Sequence, residues 1–298
     1  MNIKTFLLAV AVTTFSYGAE IRVGSGTFTS KFSISNLMGT NFDLDTKTIS
    51  IANPHDNFSN SKYYFSYDAD IFYSEYANKI THMVASPITT NFGSFGSINN
   101  QIAKATKLPL PSDYKMAGFD ANFGIGYDLA KSDTGYFGVG VVSGFSMPIV
   151  KMKNLVKSAK LTYKVLRKTD TTLMTYKVGL GVVAGTKISD NLSLYASAAY
   201  GYQTGYIDND WFKSSFDVDG HYDVFNIGVK YTPFKSKAKV TGVNFNNELY
   251  VTAGYTHKDW YATQGKVNLV NVVKAKTFGA CKADFSNDQA YVGVGYNF

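Results

Sequence analysis

The chain has 298 residues, 45% of them hydrophobic, and a formal net charge of +7. No uninterrupted apolar run reaches the 18 or so residues of a membrane-spanning helix, which excludes a helical membrane protein. With one cysteine, Cys281, an intrachain disulfide framework is excluded, and 22 Tyr, 22 Phe and 26 Gly against 6 Pro point to many short aromatic strands.

The chain opens with a short basic start at Lys4, an apolar stretch "TFLLAVAVTTF" and the small residues of "SYGAE". This is the layout of a secretory signal peptide. Cleavage after Gly18 puts Ser16 at the −3 position, and cleavage after Ala19 puts Tyr17 there. Residues 1–19 read as the signal and 20–298 as the mature domain. Removing the signal takes away one lysine and no acid, so the mature charge is +6. That charge suits anionic surroundings such as lipid phosphates.

The next segments alternate apolar with small or polar residues. On a strand, successive side chains point to opposite faces. Segment 20–30 ("EIRVGSGTFTS") is a first strand. Segment 41–52 is a weaker second one, whose apolar parity breaks between Leu44 and Ile49; a β-bulge would accommodate the break. Segment 61–76 ("SKYYFSYDADIFYSEY") is a third. Residues 77–113 form a long connection, in which "SINNQIAKATKL" has Ser97 as an N-cap and Ile98, Ile102 and Ala105 near helical spacing. Pro109 and Pro111 end that short helix.

Further strands follow at 114–130, 134–150, 172–189, 191–206, 217–234, 246–262 and 288–298. The clearest alternation is at 117–129, where Ala117, Phe119, Ala121, Phe123, Ile125, Tyr127 and Leu129 share one face. Ordinary strands average about 5–6 residues, and membrane-spanning ones need about 9–11. The apolar faces end in aromatics such as Tyr127 and Tyr202, as at an interfacial girdle. Short turns at 130–135 and 189–191 contrast with long connections at 151–170, 207–216 and 263–287. The fold expected is all-β: an antiparallel up-and-down transmembrane barrel of ten strands. It drops to eight if 20–30 and 41–52 stay outside the wall. Glycines 124, 126, 138, 140, 179, 181, 293 and 295 face the lumen by this parity and would leave space for the long connection as a plug.

The last strand, "AYVGVGYNF", carries Val292, Val294, Tyr296 and Phe298 at alternate positions. With the export signal and the amphipathic strands, it resembles the outer-membrane β-barrel proteins of Gram-negative bacteria. It matches no characterised subfamily of them. The resemblance implies location in the outer membrane and recognition of these four residues by the barrel-assembly machinery. It also implies a setting of outer-membrane lipid and lipopolysaccharide.

By alternation the lumen receives Arg22, Asp68, Asp70, Asp120, Asp128, Lys177, Lys187, Lys230, Glu248 and Lys258. In a ten-strand barrel these line a narrow interior. They can pair as a structural network or line a pathway for small solutes. The stretch "DVDGHYD" is similar to the Asp-Glu-His-Tyr-Asp stretch of the omptin family, which are ten-strand outer-membrane proteases. That likeness implies Asp219 and His221 as a carboxylate–base pair. Two departures count against it. The long connection offers only Asp113 for a second acidic pair, and parity with Phe225, Ile227, Val229 and Tyr231 puts Asp219, His221 and Asp223 on the outer face. The expectation is therefore a protein that is not an enzyme.

The stretch 151–168 holds seven basic residues and no acid. Lys151, Lys153, Lys157 and Lys160 are candidates to contact lipopolysaccharide phosphates or a host polyanion. Neither a nucleic-acid module nor a phosphate-binding glycine loop is present. Four scattered histidines and one cysteine form no metal-ligand spacing, and no cofactor is expected. The oligomeric state is open at this stage. The function that follows is a narrow, porin-like channel or a structural surface barrel.

Overall fold

Long alternating segments can bury their backbone polar groups in a membrane only by pairing until the sheet closes. The computed structural model of the chain shows this closure. It describes residues 19–34, 38–53, 61–81, 110–153, 170–209, 214–240, 243–264, 267–268, 277–278 and 281–297. The strands are β1 (Ala19–Ile34), β2 (Met38–Asn53), β3 (Tyr63–Ser74), β4 (Ala77–Thr81), β5 (Leu110–Lys131), β6 (Gly135–Lys153) and β7 (Thr171–Ser189). They continue with β8 (Leu192–Asn209), β9 (Ser214–Val240), β10 (Val243–Gln264), β11 (Val267–Asn268), β12 (Thr277–Phe278) and β13 (Cys281–Asn297).

Ten of these form the wall, each antiparallel to its neighbours. β1 pairs with β13 and β2, and β3 pairs with β5, so no edge is left in the ring β1-β2-β3-β5-β6-β7-β8-β9-β10-β13. β4 lies beside the outer part of β5, and β11 with β12 makes a separate two-stranded ribbon. Stepping from partner to partner leads from Glu20 through Ala52, Asp68, Asn122, Gly144, Lys177, Gln203, Gly220, Ala262 and Ala283 back to β1 at Phe32. The ring is therefore staggered by twelve residues, and its strands must tilt, by about 40° for barrels of this kind. The turns at 132–134 and 190–191 share one end with Ala19 and Asn297, and short turns mark that end as periplasmic.

The weak segment 41–52 belongs to the wall, so the count is ten and not eight. Its parity break needs no bulge, because β2 pairs with β1 in continuous register from Met38 to Ala52. Phe42 and Leu44 point inward in the outer half of β2, whereas Ile49 and Ile51 point outward in the inner half. The strand changes which face is apolar because its surroundings change with height. β1 does the same, with Phe28 and Phe32 inward and Ile21 and Val23 outward. β1 and β2 also run further than their sequence limits, pairing as far as Ile34 with Met38 across residues 35–37. The described residues contain no helix. The helix expected after Ser97 lies outside the described residues, as do residues 1–18 and Phe298.

The inward glycines serve a different purpose from the one their number suggests. Gly126 pairs with Tyr64 and Gly295 with Tyr250, and a β-carbon at either glycine would run into the partner's ring. Gly185 with Tyr136 and Gly228 with Tyr195 repeat the arrangement. The space is filled by tyrosines of adjacent strands, which fold flat across the wall.

Candidate functional site

The site that the wall encloses is its lumen, which is filled in three layers. The outer layer is apolar. Phe28, Phe32, Phe42, Leu44, Phe72, Tyr114, Met116, Leu173, Ile207, Trp260 and Phe285 are all inward and buried in one cluster. Phe28 and Phe285 pack at 5.6 Å, Phe72 and Trp260 at 5.8 Å, and Phe42 stacks on Tyr114 at 4.4 Å. Phe72 of β3 and Trp260 of β10 meet from opposite walls, so the layer packs across the lumen.

The middle layer is an ion network around Lys258. Its ammonium donates to Asp68 Oδ2 at 2.5 Å, Asp70 Oδ2 at 2.8 Å and Asp120 Oδ2 at 2.8 Å. Lys177 donates to Asp120 Oδ1 at 2.5 Å and sits 3.7 Å over the ring of Tyr222. Asn122 donates to Asp68 and Asp120, and the Ser146 hydroxyl also donates to Asp120. Trp260 Nε1 donates to Ser146 Oγ at 2.7 Å, which ties this layer to the apolar one. These carboxylates come from β3 and β5, and the two ammoniums from β7 and β10, so the network crosses the lumen. Asp68, Asp70 and Asp120 have oxygens within 4.8 Å of one another, a spacing that could hold a cation. The Lys258 ammonium occupies that position.

The inner layer is held by Arg22 and the tyrosines. Arg22 Nε donates to Glu20 Oε1 at 2.8 Å, the Thr252 hydroxyl donates to the same carboxylate, and the guanidinium lies 4.5 Å over Tyr291. The hydroxyls of Tyr291 and Tyr195 meet at 2.7 Å, and Tyr291 also donates to Asn226. Lys230 lies 4.2 Å over Tyr250 and 4.0 Å from Glu248. Between the middle and inner layers is a cavity of about 80 Å³, lined by Tyr64, Ser66, Asp68, Asn122, Gly124 and Gly181 among others. Asp68 and Asn122 of the ion network form its upper lining.

Of the ten charges placed in the lumen by alternation, Arg22, Asp70, Asp120, Asp128, Lys177, Lys230 and Lys258 are buried, and Asp68 and Glu248 half-buried. Lys187 is also half-buried, but it reaches the turn below and donates to the Asp133 carbonyl at 2.8 Å, so it is a rim residue. Alternation gives the face of each residue and not its partner. The convergence on Lys258 depends on the stagger of the ring, which no single strand encodes. Glu20 and Tyr291 carry equal weight in the inner layer, and only the charge of Glu20 could have flagged it.

The "DVDGHYD" stretch lies on the outer wall. His221 stacks between Tyr200 at 5.7 Å and Tyr261 at 4.7 Å, and Asp219 accepts a hydrogen bond from Tyr202 at 2.5 Å. Lys151 is half-buried near the outer end of β6, Lys153 ends that strand, and Lys157 and Lys160 lie outside the described residues. Val292 and Val294 are 58% and 56% exposed on the outer face of β13, with Tyr296 half-buried beside them.

No protein-family model and no curated protein matches the chain. Among solved structures it is similar to the outer membrane protease OmpT from Escherichia coli, at 10% identity and TM-score 0.48, over 94% of this chain and 96% of that one. It is similar to the translocator domain of autotransporter NalP from Neisseria meningitidis at 13% identity and TM-score 0.34, over 99% and 94%. It is similar to the Pseudomonas putida toluene transporter TodX at 10% identity and TM-score 0.28, over 97% and 92%. At these scores the likenesses carry no argument about activity. The closed ten-strand ring with an apolar exterior is itself the architecture of an integral protein of the Gram-negative outer membrane.

Proposed function

We propose that this chain is a sealed outer-membrane barrel that acts through its outer surfaces and does not conduct solutes. The observation that carries this reading is the apolar layer, whose Phe28, Leu44, Phe72, Trp260 and Phe285 have no exposure at all. A polar solute crossing that layer would shed its hydration with no hydrogen-bond partner in return. The ion network below it supports the same reading, since every carboxylate around Lys258 is engaged. Planar-bilayer recording of the purified chain tests it: a silent membrane is expected, and reproducible unitary steps would overturn it.

In this reading the chain is not an enzyme. Support comes from the outward position of Asp219, His221 and Asp223 and from the stacking that holds His221 flat between two tyrosines. Cleavage of basic peptides, compared with His221→Ala, checks this, and no difference is expected. The outer face would meet lipopolysaccharide, with Lys151, Lys153, Lys157 and Lys160 as the cationic group nearest its phosphates. The exposed Val292 and Val294 suit recognition of the last strand by the assembly machinery. Deleting Phe298 should then lower the yield of folded barrel in the outer membrane.

A further inference from the structure

The apolar exterior is not of uniform height. On β6 it runs from Phe137 to Ile149, broken only by Ser143, which is about 40 Å of strand and about 30 Å along the barrel axis. On β7 it runs a similar distance, from Ile188 to Tyr176. On β10 it runs only from Leu249 to Tyr255, about 20 Å of strand and about 15 Å of axis. β9 stops at Phe225, β13 at Val292 and Ala290, β1 at Val23 and β2 at Ile49. A lipid-facing band is about 25 Å tall. Five adjacent strands thus fall well short of it, while the arc β5 to β8 fills it.

Directly above the short band the outward residues are polar. β9, β10 and β13 present Asp223, His257, Asp259 and Asp288; β1 presents Ser25 and Thr27, and β2 presents Lys47 with Asp45 and Asp43 above it. His257 bonds Asp288 at 2.7 Å and lies 3.9 Å from Asp223, and Tyr255 donates to Asp288. One side of the arc is therefore acidic, and the other carries hydroxyls and one exposed lysine, Lys47, below the exposed Asp45 and Asp43. The stagger of the ring sets their heights. Each step around the wall climbs about 1.2 residues. Lys47 pairs with Ser25, and Asp259 reaches Thr29 through Ser286, so both lie about 6 to 7 residues above Glu20.

We propose that this arc is the contact face of a homodimer, with a twofold axis along the membrane normal beside the β13–β1 seam. That axis brings β10 of one copy opposite β2 of the other, at equal height. Asp259 of each copy then faces Lys47 of its mate, and Asp288 with Ser286 faces the hydroxyls of Ser25 and Thr27. The contact is isologous, so one surface serves both copies. It removes charged residues from the level at which the opposite arc is in lipid, where a lysine costs about 2–4 kcal/mol at mid-depth and an aspartate less. The one match of opposite charge at equal height, Lys47 with Asp259, sets the pairing.

The test uses the full chain in lipid nanodiscs. Wild type is expected at twice the chain mass by native mass spectrometry. In a Cys281→Ser background, co-expressed Lys47→Cys and Asp259→Cys chains should join through a short bismaleimide, and paired Leu180→Cys chains should not. Lys47→Glu should weaken association about tenfold or more, with recovery on adding Asp259→Lys. One chain per nanodisc with no cross-link would overturn the proposal, and is the outcome if the bilayer thins around the arc instead. Cross-linking to a different protein would overturn it as well.

Discussion

Two arcs of one wall share an apolar core but differ in what they show outside it. From β5 to β8 the outer half of each strand is apolar outside, with Phe119, Phe145, Met147 and Tyr176 toward lipid. From β9 through β10, β13 and β1 to β2, the outer half is polar outside and apolar inside, with Trp260, Phe285, Phe28 and Leu44 toward the lumen. The first arc is apolar on both faces, with Met116, Leu173 and Ile207 toward the lumen as well, and the second is apolar only toward the core. Where a protein can use either solvent, the choice shows in which parity carries the large side chains. The filled lumen thus completes the core of the arc whose apolar exterior is short.

The comparison is broken most directly at the shared core. Trp260→Ala should cost about 3–5 kcal/mol, because it opens a cavity under the second arc and releases Ser146. Lys258→Met should cost a similar ~3–5 kcal/mol, since it leaves the buried Asp70 and Asp120 and the half-buried Asp68 against Lys177 alone. Both are read as shifts in urea unfolding of the barrel in lipid vesicles. Near-neutral values would mean that the second arc does not rest on the lumen.

The next effect separates the arcs by their outer faces. Leu180→Arg, on the arc in lipid, should cost about 2–4 kcal/mol. Ser25→Arg, on the other arc, should cost less than about 1 kcal/mol in the same assay. Equal costs would erase the distinction. Gly126→Ala should be intermediate, about 1–3 kcal/mol, because the added methyl meets the ring of Tyr64; adding Tyr64→Ala should recover part of it. The smallest effect is expected at the rim, where His257→Asn should change stability by less than about 1 kcal/mol.

Much of this was open to reading from the chain itself. Alternation at 117–129 defines β5 and the direction of its side chains, because a strand has only two faces. The same logic placed Lys177, Lys258 and Asp120 inward. It faltered at Leu44 and Ile49, where the apolar face switches sides and a reader of one parity sees a defect. It also misjudged the glycines: Gly126 and Gly295 looked like empty space, but their partners Tyr64 and Tyr250 lie on other strands. The ring Lys258–Asp68–Asp70–Asp120 spans 190 positions in the chain, and nothing local links its ends.

The sequence by itself determined the membrane barrel, its strands and the inward or outward sense of nearly every residue, since these follow from a local period of two. Only the tertiary structure decided the twelve-residue stagger, and with it the height of each side chain. Height is what turns inward charges into one connected network and outward charges into a patch. It depends on how all ten strands register at once, a closure condition that no one strand carries.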